Sequence, residues 1–252
     1  MLTHPTVEKL EELRFTGMAG ALREQLQTAD IEELSFLERL GLLVDREMTV
    51  REDRRLTSRL RRAQLRQDAS MEDLDYRSSR SLDRRLMLRL ASCDWIRARH
   101  NVVITGATGS GKSFIACALA HKACLEGFTA LYNRLPRFLD DLELARGDGR
   151  YLSLLKKLTR IDVLVLDDWG LSRLSSREQR DLLEVLDDRH QARSTVVTSQ
   201  LPTESWYETM ANPTLADAIL DRLIHNAYRI ELRGESMRKQ LSHLHQSDHR
   251  AT

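Results

Sequence analysis

Long apolar runs are missing from this chain. No stretch approaches the ~18 to 20 consecutive apolar residues of a membrane-spanning helix, which argues against membrane insertion. The N-terminus lacks a short apolar run with small residues behind it, the mark of a secretory leader. Cysteines are few and odd in number: Cys93, Cys117 and Cys124. They have no metal-ligand spacing, so they read as small buried thiols in a reducing compartment, and a cytoplasmic protein is expected. Aromatic residues make up only 5% of the chain against 31% charged residues, a balance that suits a helix-rich, well-solvated protein. Internal repeats and low-complexity tracts are also absent.

What is present begins with a 252-residue length and 41% apolar content, enough for one large domain or a core domain plus a small one. The net charge of +1 hides an asymmetry. Residues 1–50 carry five Lys/Arg and ten Asp/Glu, whereas residues 51–100 carry fourteen Arg and eight Asp/Glu. Such blocks point to surfaces with different partners.

The first ~70 residues show no strand-like alternation. Val7, Leu10, Leu13, Met18, Leu22 and Leu26 recur at helical spacing, with Gly17 and Gly20 as weak points. A second helix is expected from about Glu33 to Arg66, its apolar stripe supplied by Leu34, Leu37, Leu40, Leu43 and Val44. Gln67-Asp68-Ala69-Ser70 reads as a break, so a small all-α domain is expected over 1–68 and a second domain over 69–252. A helical approach segment follows from Ser81 to about Arg99. Beyond residue 100 the pattern becomes alternating strand and helix, the signature of an α/β fold with a parallel sheet. Five strands are expected: Asn101–Thr105, Phe128–Tyr132, Asp162–Asp167, Ser194–Ser199 and Tyr228–Leu232.

The first of these strands runs directly into Gly106-Ala107-Thr108-Gly109-Ser110-Gly111-Lys112-Ser113, followed by Phe114. This is the phosphate-binding loop pattern in its required strand–turn–helix setting. The glycines let the backbone approach phosphate oxygens, and the following helix presents its N–H groups and positive dipole end. Lys112 is expected on the β- and γ-phosphates, and the Ser113 hydroxyl on Mg²⁺. The residues therefore predict a nucleoside triphosphate and Mg²⁺ as ligands.

The apolar strand Val163–Leu166 ends in Asp167-Asp168. The first acid is expected to hold the metal and the second to polarise the attacking water. The strand Thr195–Ser199 ends in polar side chains. If it lies between the loop strand and the acidic strand, one of Thr198, Ser199 and Gln200 faces the γ-phosphate, with Ser199 among the expected nucleotide contacts. Arg222 suits charge developing on a phosphoryl group, or else half of an ion pair with Asp221 or Asp217. Seven arginines (Arg51, Arg54, Arg55, Arg59, Arg61, Arg62 and Arg66) are offset only by Glu52 and Asp53, which makes them candidate contacts for duplex DNA phosphates. Without aromatics among them, base stacking on a single strand is not expected. The histidines at 243, 245 and 249 read as a solvated tail.

The series Gly106–Ser113, Leu166-Asp167-Asp168-Trp169-Gly170-Leu171, Thr198-Ser199-Gln200-Leu201-Pro202, Asp221-Arg222-Leu223-Ile224-His225 and Gly234-Glu235-Ser236-Met237-Arg238-Lys239 resembles the IstB family. The opening Leu13-Arg14-Phe15-Thr16-Gly17-Met18-Ala19 resembles that family's first helix. These are the ATP-binding helper proteins of bacterial insertion sequences, relatives of DnaC-type helicase loaders. The resemblance implies an AAA+ core and a homo-oligomer on duplex DNA with shared ATP sites. It also implies an IstA-like transposase, encoded by the same element, as partner. Arg222 would be the arginine finger for a neighbouring subunit, and Arg238 the sensor arginine of its own. Many AAA+ enzymes carry Asp-Glu where this chain has Asp167-Asp168, so slow hydrolysis is expected. A helicase loader, a small-molecule kinase and a non-hydrolysing DNA-binding scaffold are the alternative readings.

Overall fold

A computed structural model describes residues 4–76 and 81–234. The chain divides into two compact units after Ser58, ahead of the break expected at residues 67–70. The first unit holds α1 (Pro5–Glu12) and α2 (Thr16–Gln27), followed by most of α3 (Phe36–Ala63). The helical spacing read over Val7 to Leu26 is therefore carried by two helices. Arg14 adopts a left-handed φ of 62° and the Phe15 N–H reaches back to the Leu10 carbonyl, a helix-ending turn the periodicity does not report. Gly17, read as a weak point, is instead a close-approach residue. A Cβ there would lie 2.7 Å from the Glu47 Cα. Glu47 accepts from the N–H groups of Gly17 (2.7 Å) and Met18 (3.1 Å), so α3 caps the start of α2.

α3 starts at a Ser35–Glu38 capping pair and stops where Gln64 turns left-handed at φ 51°, short of the expected Arg66. The approach segment likewise breaks into α4 (Arg84–Ala91) and α5 (Asp94–Arg97), because Cys93 between them has φ 59°.

The second unit is built on five parallel strands: β1 (Asn101–Gly106), β2 (Ala130–Arg134), β3 (Val163–Trp169), β4 (Ser194–Ser199) and β5 (Ala227–Leu232). Their order is β2-β3-β4-β1-β5. Val102, Ile104, Leu164, Leu166 and Val197 are fully buried, as strands covered on both faces require. The helices α6 (Lys112–Leu125), α7 (Leu135–Gly147), α8 (Tyr151–Leu158), α9 (Ser176–Arg189) and α10 (Pro213–Ile224) connect them. Ser175 and Glu178 form a capping box at α9, and Asn212 caps α10 ahead of Pro213.

The chain leaves β1 for the far edge of the sheet at β2, then returns through β3 and β4 to lie beside β1. The order reverses at β1, so the crevice at the carboxyl ends of β1 and β4 is the topological switch point where such sheets bind ligands. α6 is largely apolar, buried from Ile115 to Ala120 and again at Ala123 and Cys124. All three cysteines are buried free thiols, and loss of hydration pushes the Cys93 thiol up to about 11.

Candidate nucleotide site

β1 ends in the glycine-rich turn, and α6 begins at Lys112 with Gly111 (φ 94°) as its N-terminal neighbour. Gly106 has φ 152°, and a Cβ there would sit 2.6 Å from the Leu232 carbonyl oxygen. Only glycine fits the start of this loop. Lys112 folds back across it, its ammonium donating to the carbonyls of Gly106 (2.7 Å) and Ala107 (2.8 Å). Burial lowers the Lys112 pKa, and the charges of Asp167 and Asp168 oppose that shift. The Thr108 hydroxyl donates to Gln200 Oε1 at 2.8 Å, tying the loop to the end of β4.

Asp167 is fully buried at the carboxyl end of β3. The Ser113 hydroxyl lies 3.0 and 2.8 Å from its two oxygens. Thr198 donates to Oδ1, Tyr132 donates to Oδ2, and Arg66 Nη1 approaches Oδ2 at 3.3 Å. The acids sit in a bulge, because the β3–β4 register shifts between Leu166 and Trp169. Asp168 adopts φ 67° within it, a conformation aspartate tolerates better than most residues. β3 therefore continues past its expected end at Asp167 to Trp169, which is buried and stacked on Trp206 at 4.9 Å. The Asp168 carboxylate accepts from Arg134 Nε at 2.7 Å, and its N–H donates to Thr198 Oγ1 at 3.2 Å.

Lys112, Ser113, Asp167 and Asp168 thus meet at one edge. β4 does lie between β1 and β3. Ser199, however, turns away from the loop: its hydroxyl donates to the Trp169 carbonyl at 2.9 Å and accepts from the Leu201 N–H at 3.0 Å. Its neighbours Thr198 and Gln200 point to the site instead, because side chains alternate along a strand. Arg222 is not brought to this edge. It donates to Asp187 on α9, not to the expected Asp221 or Asp217, and to the Ala218 carbonyl at 2.8 Å. Its own carbonyl accepts from Asn101 at the opposite end of β1. Arg238 lies outside the described residues.

The arginine block separates by environment. Arg51 pairs with Glu47 at 2.7 Å and lies over the Phe15 ring. Arg54 donates to Thr16, Arg59 to the Cys124 carbonyl, and Arg66 to Asp167. Arg55 sits 3.8 Å from Glu52. Arg61 and Arg62 are exposed and form no ion pair among the described residues. The seven are therefore not one uniform basic face. Tyr132 and Arg134 were missed by sequence reasoning, and Arg66, expected to contact DNA phosphates, instead meets Asp167. Arg134 pairs in register with Asp167, a neighbourhood that exists only once β2 and β3 are known to be adjacent.

The donor set fits a magnesium nucleotide. A serine hydroxyl and one carboxylate are hard oxygen ligands, and magnesium is held through one or two carboxylates plus phosphates rather than an all-protein cage. No cluster of three or more His, Cys, Asp or Glu residues suited to a metal occurs among the described residues. No helix among them is long and apolar enough to cross a membrane.

Comparison with known proteins gives concordant results. A family model described as IstB-like ATP binding protein matches residues 8–245. A putative insertion sequence ATP-binding protein of Sinorhizobium fredii, y4pL, is 53% identical over 239 residues, covering 95% of this chain and 98% of that protein. The putative ATP-binding protein of insertion sequence IS1162 from Pseudomonas fluorescens is 52% identical over 81% of this chain and 89% of its own length. Among solved structures, DnaI superposes with a TM-score of 0.58 at 22% identity over 67% of this chain and 92% of its own. AMPPCP-bound DnaA from Aquifex aeolicus gives 0.57 at 14% identity over 73% and 56% of the two chains. These last two likenesses are of fold.

Proposed function

Because this chain belongs to the IstB-like ATP-binding family of insertion sequences and carries an AAA+ core, we propose that it is a slow ATPase whose nucleotide state governs its assembly on duplex DNA. There it assists the transposase of its element in target selection. The observation that carries this reading is the separation of its two halves. Lys112, Ser113 and Asp167 converge at the carboxyl edge of the sheet, while Arg222 sits by Asn101 at the amino end of β1. Six residues at ~3.3 Å each separate them, so Arg222 serves the phosphates of a neighbouring copy.

Asp167 and Ser113 would hold a magnesium ion, which would supply charge neutralisation on the phosphates. Lys112 would exchange its two loop carbonyls for phosphate oxygens. Asp168 orients the attacking water. Its short side chain and its ion pair with Arg134 both weaken it as a base, which favours slow turnover. By family resemblance Arg238 reads the γ-phosphate in its own chain. Arg55, Arg61 and Arg62, the arginines of the block least engaged with the protein, meet DNA phosphates in a salt-sensitive, sequence-tolerant way.

The deciding experiment sizes the protein on duplex DNA with ATP, with a non-hydrolysable analogue and with neither. Assembly with both nucleotides, and its loss as ATP is consumed, is the expected result. Identical sizes in all three would sink the proposal.

A further inference from the structure

Arg66 reaches Asp167 by an unusual route. Arg59, near the end of α3, donates to the Cys124 carbonyl at the last turn of α6. Ala63 is buried, Gln64 turns left-handed, and Arg66 arrives beside Asp167 and Cys117, near the first turn of the same helix. The segment then re-anchors at buried Ala69 and at Ser70, whose N–H (3.2 Å) and hydroxyl (2.7 Å) donate to Asp73. Residues 64–70 thus form a non-helical strap, held at both ends, with one guanidinium pressed into the carboxyl edge of the sheet.

That guanidinium matters because the Asp167 carboxylate has about four acceptor sites. Ser113, Thr198, Tyr132 and Arg66 already supply four donors. A cation approaching Asp167 must displace one. Ser113 is itself a ligand of the proposed ion. Thr198 and Tyr132 stand on strands and are 0% and 6% exposed. Arg66 comes from the strap, and its side chain is 42% exposed. It also lies 3.9 Å from Asp168. Arg66 is the donor that can leave.

We propose that Arg66 competes with the divalent cation for Asp167, so that metal–nucleotide loading releases the 64–70 strap just beyond Arg61 and Arg62. The exposed pair of arginines then follows the state of the site through four residues of chain. This inference rests on the nucleotide-site reading above, and its test separates the two.

The full chain and its R66A and R66K variants are titrated with a fluorescent adenine nucleotide at a series of Mg²⁺ concentrations. R66A is expected to lower the Mg²⁺ midpoint about fivefold, the scale of one half-exposed ion pair, with R66K in between. Independently, amide hydrogen exchange over residues 64–70 of the wild type is expected to speed up when Mg²⁺–nucleotide is added. That second measurement stands even where a variant folds poorly. An R66A midpoint equal to wild type, or slowed exchange in the strap on loading, overturns the proposal. No nucleotide binding by the wild type at any Mg²⁺ concentration would instead remove the nucleotide site itself, and this inference with it.

Discussion

The Ser113 hydroxyl spans both oxygens of Asp167, at 3.0 and 2.8 Å, and so joins the first turn of α6 to the end of β3. Two residues 54 positions apart become one oxygen-rich corner beside the Lys112 ammonium. Ser113→Ala removes the proposed magnesium ligand from that corner with little change in packing. Mg²⁺-dependent ATP affinity is expected to fall on the order of tenfold, the scale of one lost charge-assisted bond. Equilibrium titration with and without Mg²⁺ reads it, and the metal-free affinity should hardly move.

Gly106→Ala tests the loop's geometry rather than its charge. The new Cβ meets the Leu232 carbonyl oxygen at 2.6 Å on a backbone with φ 152°. Local strain of about 1–3 kcal/mol is expected, with loss of nucleotide binding. A variant that unfolds at the wild-type midpoint and still binds ATP would contradict the close approach of β5 to the loop.

Asp168→Ala is expected to lower ATP turnover by 10²-fold or more, in the range of a general-base contribution, while ATP affinity stays within about twofold. Wild-type turnover itself should fall below roughly 10 s⁻¹. Steady-state kinetics without any added phosphate acceptor settle both, and they also separate an ATPase from a kinase.

Glu47 governs the first unit through its two backbone acceptances at Gly17 and Met18 and its ion pair with Arg51. Burial alone would raise its pKa, but the Arg51 bond and the two N–H donors hold it below the usual carboxylate value. A depressed folded pKa stabilises the fold at pH above the unfolded value of ~4.3, and that stability drains away as pH falls through the carboxylate range. Glu47→Gln should remove this acid dependence and cost about 1–3 kcal/mol. Urea titrations at several acid pH values give both numbers.

The buried thiols offer an opposite pH dependence. Loss of hydration raises Cys93 to about 11, and burial raises Cys117 and Cys124 too. A raised thiol pKa favours the fold below the unfolded value of ~8.5, and the benefit disappears as pH climbs toward 11. Thiol reagents at pH 8 should label none of the three until denaturant is added. Rapid labelling of the native protein at Cys117 or Cys124 would mean that α6 opens readily.

Much of the second unit was legible because its signals are local. The loop glycines and the apolar run before Asp167 each act within one turn or strand. Two helix breaks were not legible. Arg14 and Cys93 sit at left-handed φ, and neither residue type advertises that conformation. Ser199 was chosen among three polar neighbours, and only the pleat of β4 assigns it to the far face and Thr198 to the site.

The chain's own pattern was therefore enough to determine a nucleotide-binding α/β core and the four residues at its centre, since that chemistry is written in contiguous motifs. Which side chains surround Asp167 was decided by tertiary structure alone. Tyr132, Arg134 and Arg66 reach the acidic pair only because β2 lies beside β3 and the strap runs along α6. Strand order and the course of a loop depend on contacts between distant segments, and no local periodicity encodes them.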